Sequence, residues 1–122
     1  MSERITWINY KGHSILLTDW TNLTDEKKFI AAVNETSQFV IDQQKYGLLE
    51  LIDVTHSQKS TTVLFTMKKM ALLTRRFNKK KAVIGINMIE RMVLEAVNKF
   101  ASEKIHPFET KEQALEWLIK NE

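Results

Sequence analysis

The stretch Leu48–Phe65, "LLELIDVTHSQKSTTVLF", decides the fold prediction because it passes from a buried strand through a polar loop into a helix. Its first seven residues are mostly apolar, which is typical of a strand covered on both faces. Serine and threonine then precede residues with a helical hydrophobic period, as at a capped helix start. Ligands of α/β proteins tend to bind at such junctions, so the loop is a candidate site.

Two segments before this stretch predict a β-hairpin. "RITWINY" (residues 4–10) and "SILLTDW" (residues 14–20) are rich in β-branched and aromatic residues, and the connection "KGH" contains a glycine. From Thr24 to about Gln44 the hydrophobic period becomes helical, with Asp25 in the first turn, where the helix dipole favours anions. Gly47 follows as a helix-ending signal.

The rest of the chain predicts further alternation of helices and strands. A helix is expected from about Ser60 to Phe77, followed by an "NKKK" turn and by "AVIGI" (Ala82–Ile86), whose apolar run is typical of a central parallel strand. "IHPF" predicts a short final strand, and Thr110 with Gln113 predicts a capping box at the start of the last helix. A third helix between them carries an apolar stripe: Met88, Ile89, Met92, Val93, Ala96, Val97 and Phe100.

The order β-β-α-β-α-β-α-(β)-α predicts an α/β fold. We expect a mixed β-sheet, with an N-terminal hairpin plus parallel strands, flanked by about four helices. The length of 122 residues predicts a single domain over residues 1–122, and the apolar fraction of 43% is ordinary for a globular protein. No stretch resembles a signal peptide or a membrane span, so a cytoplasmic location is expected.

Signals for catalysis or for metal binding are weak. The chain has no cysteine, and His13, His56 and His106 have no partner at metal-ligand spacing. Glycine motifs for nucleotides and hydrolase nucleophiles are absent, so neither a catalytic residue, a cofactor nor a metal is expected. The weakest hypothesis is an enzyme built around Asp19, Asp53 and His56, although strand-end aspartates more commonly cap the following turn.

The polar loop after the third strand is a candidate phosphoacceptor or ligand loop. We call it the strand-end loop and define it by four residues: Asp53, Thr55, Ser57 and Ser60. Helix N-termini attract anions, and a hydroxyl group there is well placed to accept a phosphate. Serine and threonine are also the preferred N-caps, so the alternative is that "KSTT" only caps the helix.

One face of the predicted helix 60–77 combines cations with large apolar residues. We call it the basic–apolar face: Phe65, Lys68, Lys69, Leu72, Arg75 and Arg76. Such a face suits a protein partner, a homodimer contact, or a lipid or anionic membrane surface on which the helix acts as a lid; the alternative is a plain solubilising face. Nucleic acid is not expected, because the region has no aromatic stacking platform. The remaining apolar residues of the helix are expected in the core: Val63, Leu64, Met67, Met70, Ala71, Leu73 and Phe77.

Several segments resemble those of a known family. The hairpin "INYKGHSILLTDW", the strand end "DVT", and "KKKAVIGIN" with "VLEAVNKFASEKIHPFETKEQALEWL" are similar to the SpoIIAA-like family of the STAS superfamily. The resemblance spans nearly the whole chain and implies a mixed sheet flanked by helices. It also implies a small, non-enzymatic binding or regulatory module.

The resemblance also bears on the strand-end loop. In anti-sigma antagonists a phosphorylated serine lies at the start of the helix after the strand that ends here at Asp53. This chain reads "DVTHSQKSTTV", with a longer loop and without the Ser-Gly pair of those proteins, so Ser57 and Ser60 are candidates by position only. The family is further similar to lipid-binding folds of the CRAL-TRIO type, which is an analogy for membrane association through Phe65 and Leu72.

Overall fold

The structure is a computed structural model that describes residues 3–98 and 105–121. Strands and helices alternate within these residues after an opening hairpin, as the hydrophobic periods predict. In chain order they are β1 (Ile5–Tyr10), β2 (His13–Asp19), α1 (Glu26–Gln43), β3 (Leu48–Asp53), α2 (Thr61–Thr74), β4 (Asn78–Ile84), α3 (Met88–Asn98), β5 (Ile105–Pro107) and α4 (Lys111–Ile119).

The strands form one mixed sheet in the order β1-β2-β3-β4-β5. β1 and β2 pair antiparallel, whereas β2, β3, β4 and β5 pair parallel with their neighbours. Each parallel connection carries a helix, as expected for strands that cannot be joined by a tight turn. The predicted α/β fold with a mixed sheet and four helices is confirmed.

Helices cover both faces of the sheet. On one face Phe29 and Val33 of α1 and Val63 of α2 pack on Ile52 and Val83 of the central strands. The other face is covered by α4, whose buried residues pack on β2, β3 and β4. These buried residues of α4 are Ala114, Leu115 and Leu118. Since both faces are covered, β3 is largely apolar, and this signal alone predicts it correctly.

Local signals fix several boundaries. Lys11 and Gly12 both adopt positive φ, +49° and +86°, which is the conformation of a tight hairpin turn whose twist suits the flanking strands. At the other end of the chain, the Thr110 side chain accepts a hydrogen bond from the Gln113 amide while the Gln113 side chain accepts one from the Thr110 amide. The predicted capping box is therefore formed.

β4 differs from its predicted bounds. The strand begins at Asn78 rather than Ala82, so the lysines that were expected in a turn lie within the sheet. Lys81 is buried and stands opposite Glu50 of β3 in the parallel register. The long side chain thus finds a buried anionic partner, which no local pattern around "NKKK" indicates.

Candidate functional site

The carboxyl ends of β2 and β3 carry the same local arrangement. Asp19 Oδ1 accepts hydrogen bonds from the amide and the hydroxyl of Thr21, at 2.9 Å and 2.6 Å. Asp53 Oδ1 accepts the equivalent pair from Thr55, at 3.0 Å and 2.6 Å. The two aspartates are neighbours in the sheet register. Each aspartate therefore stabilises the turn that follows its own strand. This agrees with the alternative drawn from the sequence, in which strand-end aspartates cap the following turn.

The protonation of Asp19 depends on its surroundings. Partial burial on its own raises the pKa of the carboxyl, but the hydrogen bonds from Thr21 and the charge of Arg4 outweigh it and hold the pKa below its ordinary value. The Arg4 guanidinium lies 3.9 Å from Asp19 Oδ1. A carboxylate stabilised in its charged form is a poor general acid at neutral pH. His56 is exposed with φ at +60° in the following turn.

The hydroxyl groups of Ser57 and Ser60 are engaged within the fold. Ser57 is buried, and its hydroxyl donates to the carbonyl of Trp20 and accepts from the amide of Leu23. Ser60 is the N-cap of α2: its hydroxyl accepts from the Val63 amide at 3.2 Å and donates to Glu26 at 2.6 Å. Ser57 therefore links the strand-end loop to the segment before α1, and Ser60 links it to α1 itself.

The basic–apolar face lies on the outside of α2. Phe65 is 65% exposed and Leu72 is 41% exposed, although both are large apolar side chains. Lys69, Arg75 and Arg76 are also exposed, and Lys68 is partly exposed. The helix itself ends at Thr74, so the arginines belong to the turn that follows rather than to the predicted helix 60–77.

The underside of α2 is less completely buried than the sequence predicts. Val63 and Ala71 of α2 and Phe77 of the turn that follows are in the core. Leu73 was expected there too, but it is 53% exposed. It adds a third large apolar side chain to the outside of α2.

Two lysines that extend the basic cluster in the sequence are not on this surface. Lys80 donates hydrogen bonds to the carbonyls of Trp117 and Lys120, at 2.9 Å and 2.7 Å, on the α4 side of the sheet. Lys81 lies in the core between the sheet and α2. Of the "NKKK" lysines, Lys79 alone is exposed. The surface charge is therefore smaller than the sequence run indicates.

The buried polar group beneath α2 is centred on Glu50 and Lys81. The Lys81 ammonium lies 4.0 Å from Glu50 Oε1 and 3.4 Å from the Thr74 hydroxyl, and Thr18 donates to Glu50 Oε2 at 2.7 Å. Asn78 Nδ2 donates to Thr74, while Asn78 Oδ1 is buried with no partner among the described residues. These charges lie at the floor of a void of about 20 Å³.

α3 exposes three residues of the apolar stripe that the sequence predicts on it. Met88, Ile89 and Met92 are 79%, 73% and 65% exposed. The helical spacing of apolar residues shows which face of a helix is apolar, but it does not show whether another part of the protein covers that face. The exposure of these side chains therefore cannot be predicted from spacing alone. The side chains of Val93, Ala96 and Val97, and all of Phe100, lie outside the part of the chain that the structure describes.

Neither a metal-binding cluster nor a membrane-spanning helix occurs within residues 3–98 and 105–121. In this part of the chain no group of histidine, aspartate and glutamate side chains is arranged to hold a metal ion. None of the helices described there is long and apolar enough to cross a membrane.

The same architecture occurs in a solved structure. The chain is similar to an uncharacterized protein of the DUF3478 family from Shewanella loihica PV-4, whose crystal structure has a SpoIIAA-like fold. The TM-score is 0.69, and the match covers 93% of this chain and 91% of the other. This chain has a SpoIIAA-like fold. At 21% identity the likeness shows the fold and nothing finer.

Other comparisons are empty: no family model matches the sequence, and curated proteins yield no significant match. The fold implied by the resemblance of "INYKGHSILLTDW" and "FETKEQALEWL" is nevertheless confirmed. Within this SpoIIAA-like fold the start of α2, where the resemblance implies a phosphorylated serine, is occupied by Ser60. Its hydroxyl bonds to Glu26 and Val63 as described above.

Proposed function

We propose that this chain is a non-enzymatic binding and regulatory module that contacts a protein partner through the basic–apolar face of α2. The observation that carries the proposal is the exposure of Phe65 and Leu72 among cations. Burying a side chain such as phenylalanine contributes roughly 1.5–3 kcal/mol. A partner that covered these two residues would recover much of that free energy.

The charge of the face indicates the chemistry of the partner. From Val54 to Ile89 the chain contains no aspartate or glutamate, so the cations of α2 have no acidic neighbour in sequence. A protein surface with an apolar centre and an acidic rim would complement this face. Charge complementarity of this kind increases association rates and selects partners more than it adds affinity.

The strand-end loop supports binding rather than catalysis. Asp53 Oδ1 accepts from the amide and the hydroxyl of Thr55. Ser57 donates to the Trp20 carbonyl, and Ser60 donates to Glu26 of α1. A nucleophile or general base needs a free lone pair within reach of a substrate. The polar groups at this edge of the sheet instead hold the base of α2 in place.

An anionic membrane surface is a second candidate, favoured by the exposed apolar residues of α3. Met88, Ile89 and Met92 lie on the helix that follows β4, close in sequence to the cationic segment. Apolar side chains with surrounding lysine and arginine are typical of helices that lie in the interface of an anionic bilayer. This candidate requires no shape complementarity from a partner.

The first experiment tests for a protein contact at the face. A photo-crosslinking amino acid is placed at position 65, with position 46 as the control, because Tyr46 is equally exposed but lies on the loop before β3. We expect a discrete protein adduct at position 65 that the Lys69→Glu/Arg76→Glu variant greatly reduces. Equal labelling at positions 65 and 46 would contradict the proposal.

A second experiment separates protein, membrane and self-association. Vesicles of phosphatidylglycerol and of phosphatidylcholine are sedimented with the wild type and with Phe65→Ser/Leu72→Ser. Binding to phosphatidylglycerol alone, lost in the variant, would favour the membrane candidate over a protein. Sedimentation equilibrium of the pure chain decides whether an adduct at position 65 is a second copy.

A further inference from the structure

The two outer strands of the sheet differ in length and in chemistry. Among the described strands, β1 and β5 lie at the ends of the order. β5 is three residues long and includes Pro107, which has no amide hydrogen to donate. β1 is six residues long and reads "ITWINY", without a charged residue or a proline. Short strands, prolines and charges protect sheet edges against pairing with another chain, and β1 has none of these features.

Alternate residues of β1 direct their backbone groups away from β2. The hairpin turn has two residues, so Tyr10 and His13 close it as a hydrogen-bonded pair, and such pairs recur at every second position. At the other end of the strand, the Arg4 carbonyl accepts the amide of Asp19 at 2.7 Å, in agreement with this alternation. The amide and carbonyl groups of the intervening residues therefore face the open edge: Ile5, Trp7 and Asn9.

The middle of this edge is accessible from both faces of the sheet. Thr6, Trp7 and Asn9 are exposed. The Trp7 ring centroid lies 6.4 Å from that of Phe39 of α1, and the Lys45 ammonium is 5.3 Å from it. These contacts hold the ring in place, yet 37% of Trp7 remains exposed. A tryptophan that is fixed but incompletely covered is typical of the residues that anchor protein interfaces.

We propose that β1 pairs with β1 of a second copy of this chain, antiparallel and with the twofold axis beside Trp7. In this register the two Trp7 residues face each other, and Ile5 of each copy faces Asn9 of the other. Each of these pairs exchanges two backbone hydrogen bonds, because the groups involved are the ones that face the open edge. The two sheets thereby become one continuous sheet.

The sequence is complementary to itself in this register. Within residues 5–9, every residue of one copy faces an uncharged residue of the other, and aromatic and β-branched cross-strand pairs are favourable. Beyond the strand, the acidic Glu3 of each copy comes level with the basic Lys11 of the other. Lys11 lies 2.6 Å from Glu116 of its own copy, so a second carboxylate approaches an exposed cation and no like charges meet.

The edges that remain after this pairing explain why the occupant is one further copy. Each β1 then has a neighbouring strand on both sides, and the combined sheet ends in two β5 strands. These strands are short and contain Pro107, so they resist the addition of another chain. A twofold contact uses the same surface on both copies and cannot continue into a fibre.

The inference does not rest on the proposed function, because β1 lies at the edge of the sheet and the basic–apolar face lies on α2. Sedimentation equilibrium of the full chain over a range of concentrations tests for self-association. A contact of one strand per copy is small beside the roughly 1,200–2,000 Å² of a standard interface. We therefore expect a reversible dimer with a dissociation constant on the order of 10 μM.

Two variants locate the contact. Trp7→Lys places two ammonium groups beside the axis and should raise the dissociation constant by roughly tenfold or more. Phe65→Lys is the matched control, since it makes the same kind of change at an exposed aromatic residue of α2 and should dimerise as the wild type does. Thermal unfolding of each variant verifies that it is folded.

Single cysteines test the register while Trp7 is retained, and the natural chain has no cysteine to interfere. Thr6 of one copy faces Ile8 of the other at a Cα separation of about 4.5 Å, within the range of a disulfide. An equal mixture of Thr6→Cys and Ile8→Cys should therefore form a mixed disulfide on mild oxidation. Thr6→Cys alone should form little, because its own copies lie about 7–8 Å apart on the diagonal.

Four outcomes overturn the proposal. They are a wild type that sediments as a monomer at every concentration, equal dimerisation of the wild type and a folded Trp7→Lys, a dimer that Phe65→Lys abolishes, and a cysteine mixture that yields no more disulfide than Thr6→Cys alone. If Trp7→Lys does not fold, the cysteine mixture decides the question. Loss of the α2 contact in Phe65→Ser/Leu72→Ser should leave the dimer intact, so the two surfaces are measured separately.

Discussion

Gly85 and Thr55 meet so closely at the ends of β4 and β3 that no side chain fits between them. A Cβ on Gly85 would lie 2.4 Å from Thr55 Oγ1 and 2.8 Å from Thr55 Cα. Gly85 also has φ at +92°, a conformation that other residues rarely adopt. The contact holds the strand-end loop against the neighbouring strand, where the Val54 amide bonds to the Ile84 carbonyl at 3.0 Å.

Gly85→Ala should therefore destabilise the fold by about 2–5 kcal/mol, the combined cost of a strained φ and of overpacking. Gly12→Ala is the matched control: its φ is +86°, but nothing lies within 4 Å of its Cβ position. That variant should lose only about 1–2 kcal/mol from backbone strain. Urea denaturation measures both free energies of unfolding, and equal losses would show that the Thr55 contact is unimportant.

Glu50 and Lys81 form a buried ion pair, so mutations of the two residues should have non-additive effects on the free energy of unfolding. Glu50→Met or Lys81→Met alone should cost about 3–5 kcal/mol, because each leaves one buried charge without its counterion. Glu50→Met/Lys81→Met should unfold with a free energy close to that of the wild type, since no charge remains to be compensated. A double-mutant cycle by chemical denaturation tests this, and additive losses would contradict it.

Removal of the Ser57 hydroxyl group should lower the free energy of unfolding more than removal of the Ser60 hydroxyl group. Ser57→Ala leaves the buried amide of Leu23 without an acceptor, so a loss of about 1–3 kcal/mol is expected. Ser60→Ala removes an N-cap at a partly exposed site and should cost about 1 kcal/mol. Thermal and urea unfolding give the comparison, and the exposed Ser14→Ala should be neutral.

Asp19 predicts a small pH-dependent contribution to stability. Its pKa is lower in the folded state than in the unfolded chain, where it is about 3.9, so its stabilisation is complete above that value and is lost as pH falls through the folded pKa. Asp19→Asn should lower the free energy of unfolding at pH 7 by less than about 1 kcal/mol, because half of the side chain is exposed.

The difference between Asp19→Asn and the wild type should shrink as the pH is lowered below about 4 and vanish once the wild-type carboxyl is protonated. Denaturant midpoints measured across this range provide the test. Glu35→Gln, at an exposed position of α1, controls for the loss of one negative charge. A difference for Asp19→Asn that stays constant from neutral to acidic pH would show that its charge is irrelevant.

Local signals explain why most of the fold could be predicted. The hairpin turn at Gly12, the start of α1 after Asp25 and the capping box at Thr110 each depend on residues within a few positions of one another. The apolar run of Leu48–Asp53 likewise predicts a strand covered on both sides. The alternation of strands and helices along the chain, together with the right-handedness of crossover connections, then leaves few possible arrangements of these elements.

Contacts between distant residues explain what could not be predicted. Lys81 was expected in a turn but lies within β4, where its ammonium pairs with the buried carboxylate of Glu50 on the neighbouring strand. The exposure of Leu73 and Met92 depends on which elements pack over α2 and α3. The hydrophobic period of a helix does not contain that information.

The order of the strands bears on how the chain acquires its structure. Because β1 to β5 lie side by side in the order of their synthesis, each new strand can pair with the one completed just before it. Each step then closes only the crossover between consecutive strands and never joins the two ends of the chain, which limits the entropic cost of loop closure. Assembly can therefore proceed from the amino-terminal hairpin onward, with α4 sealing the second face of the sheet at the end.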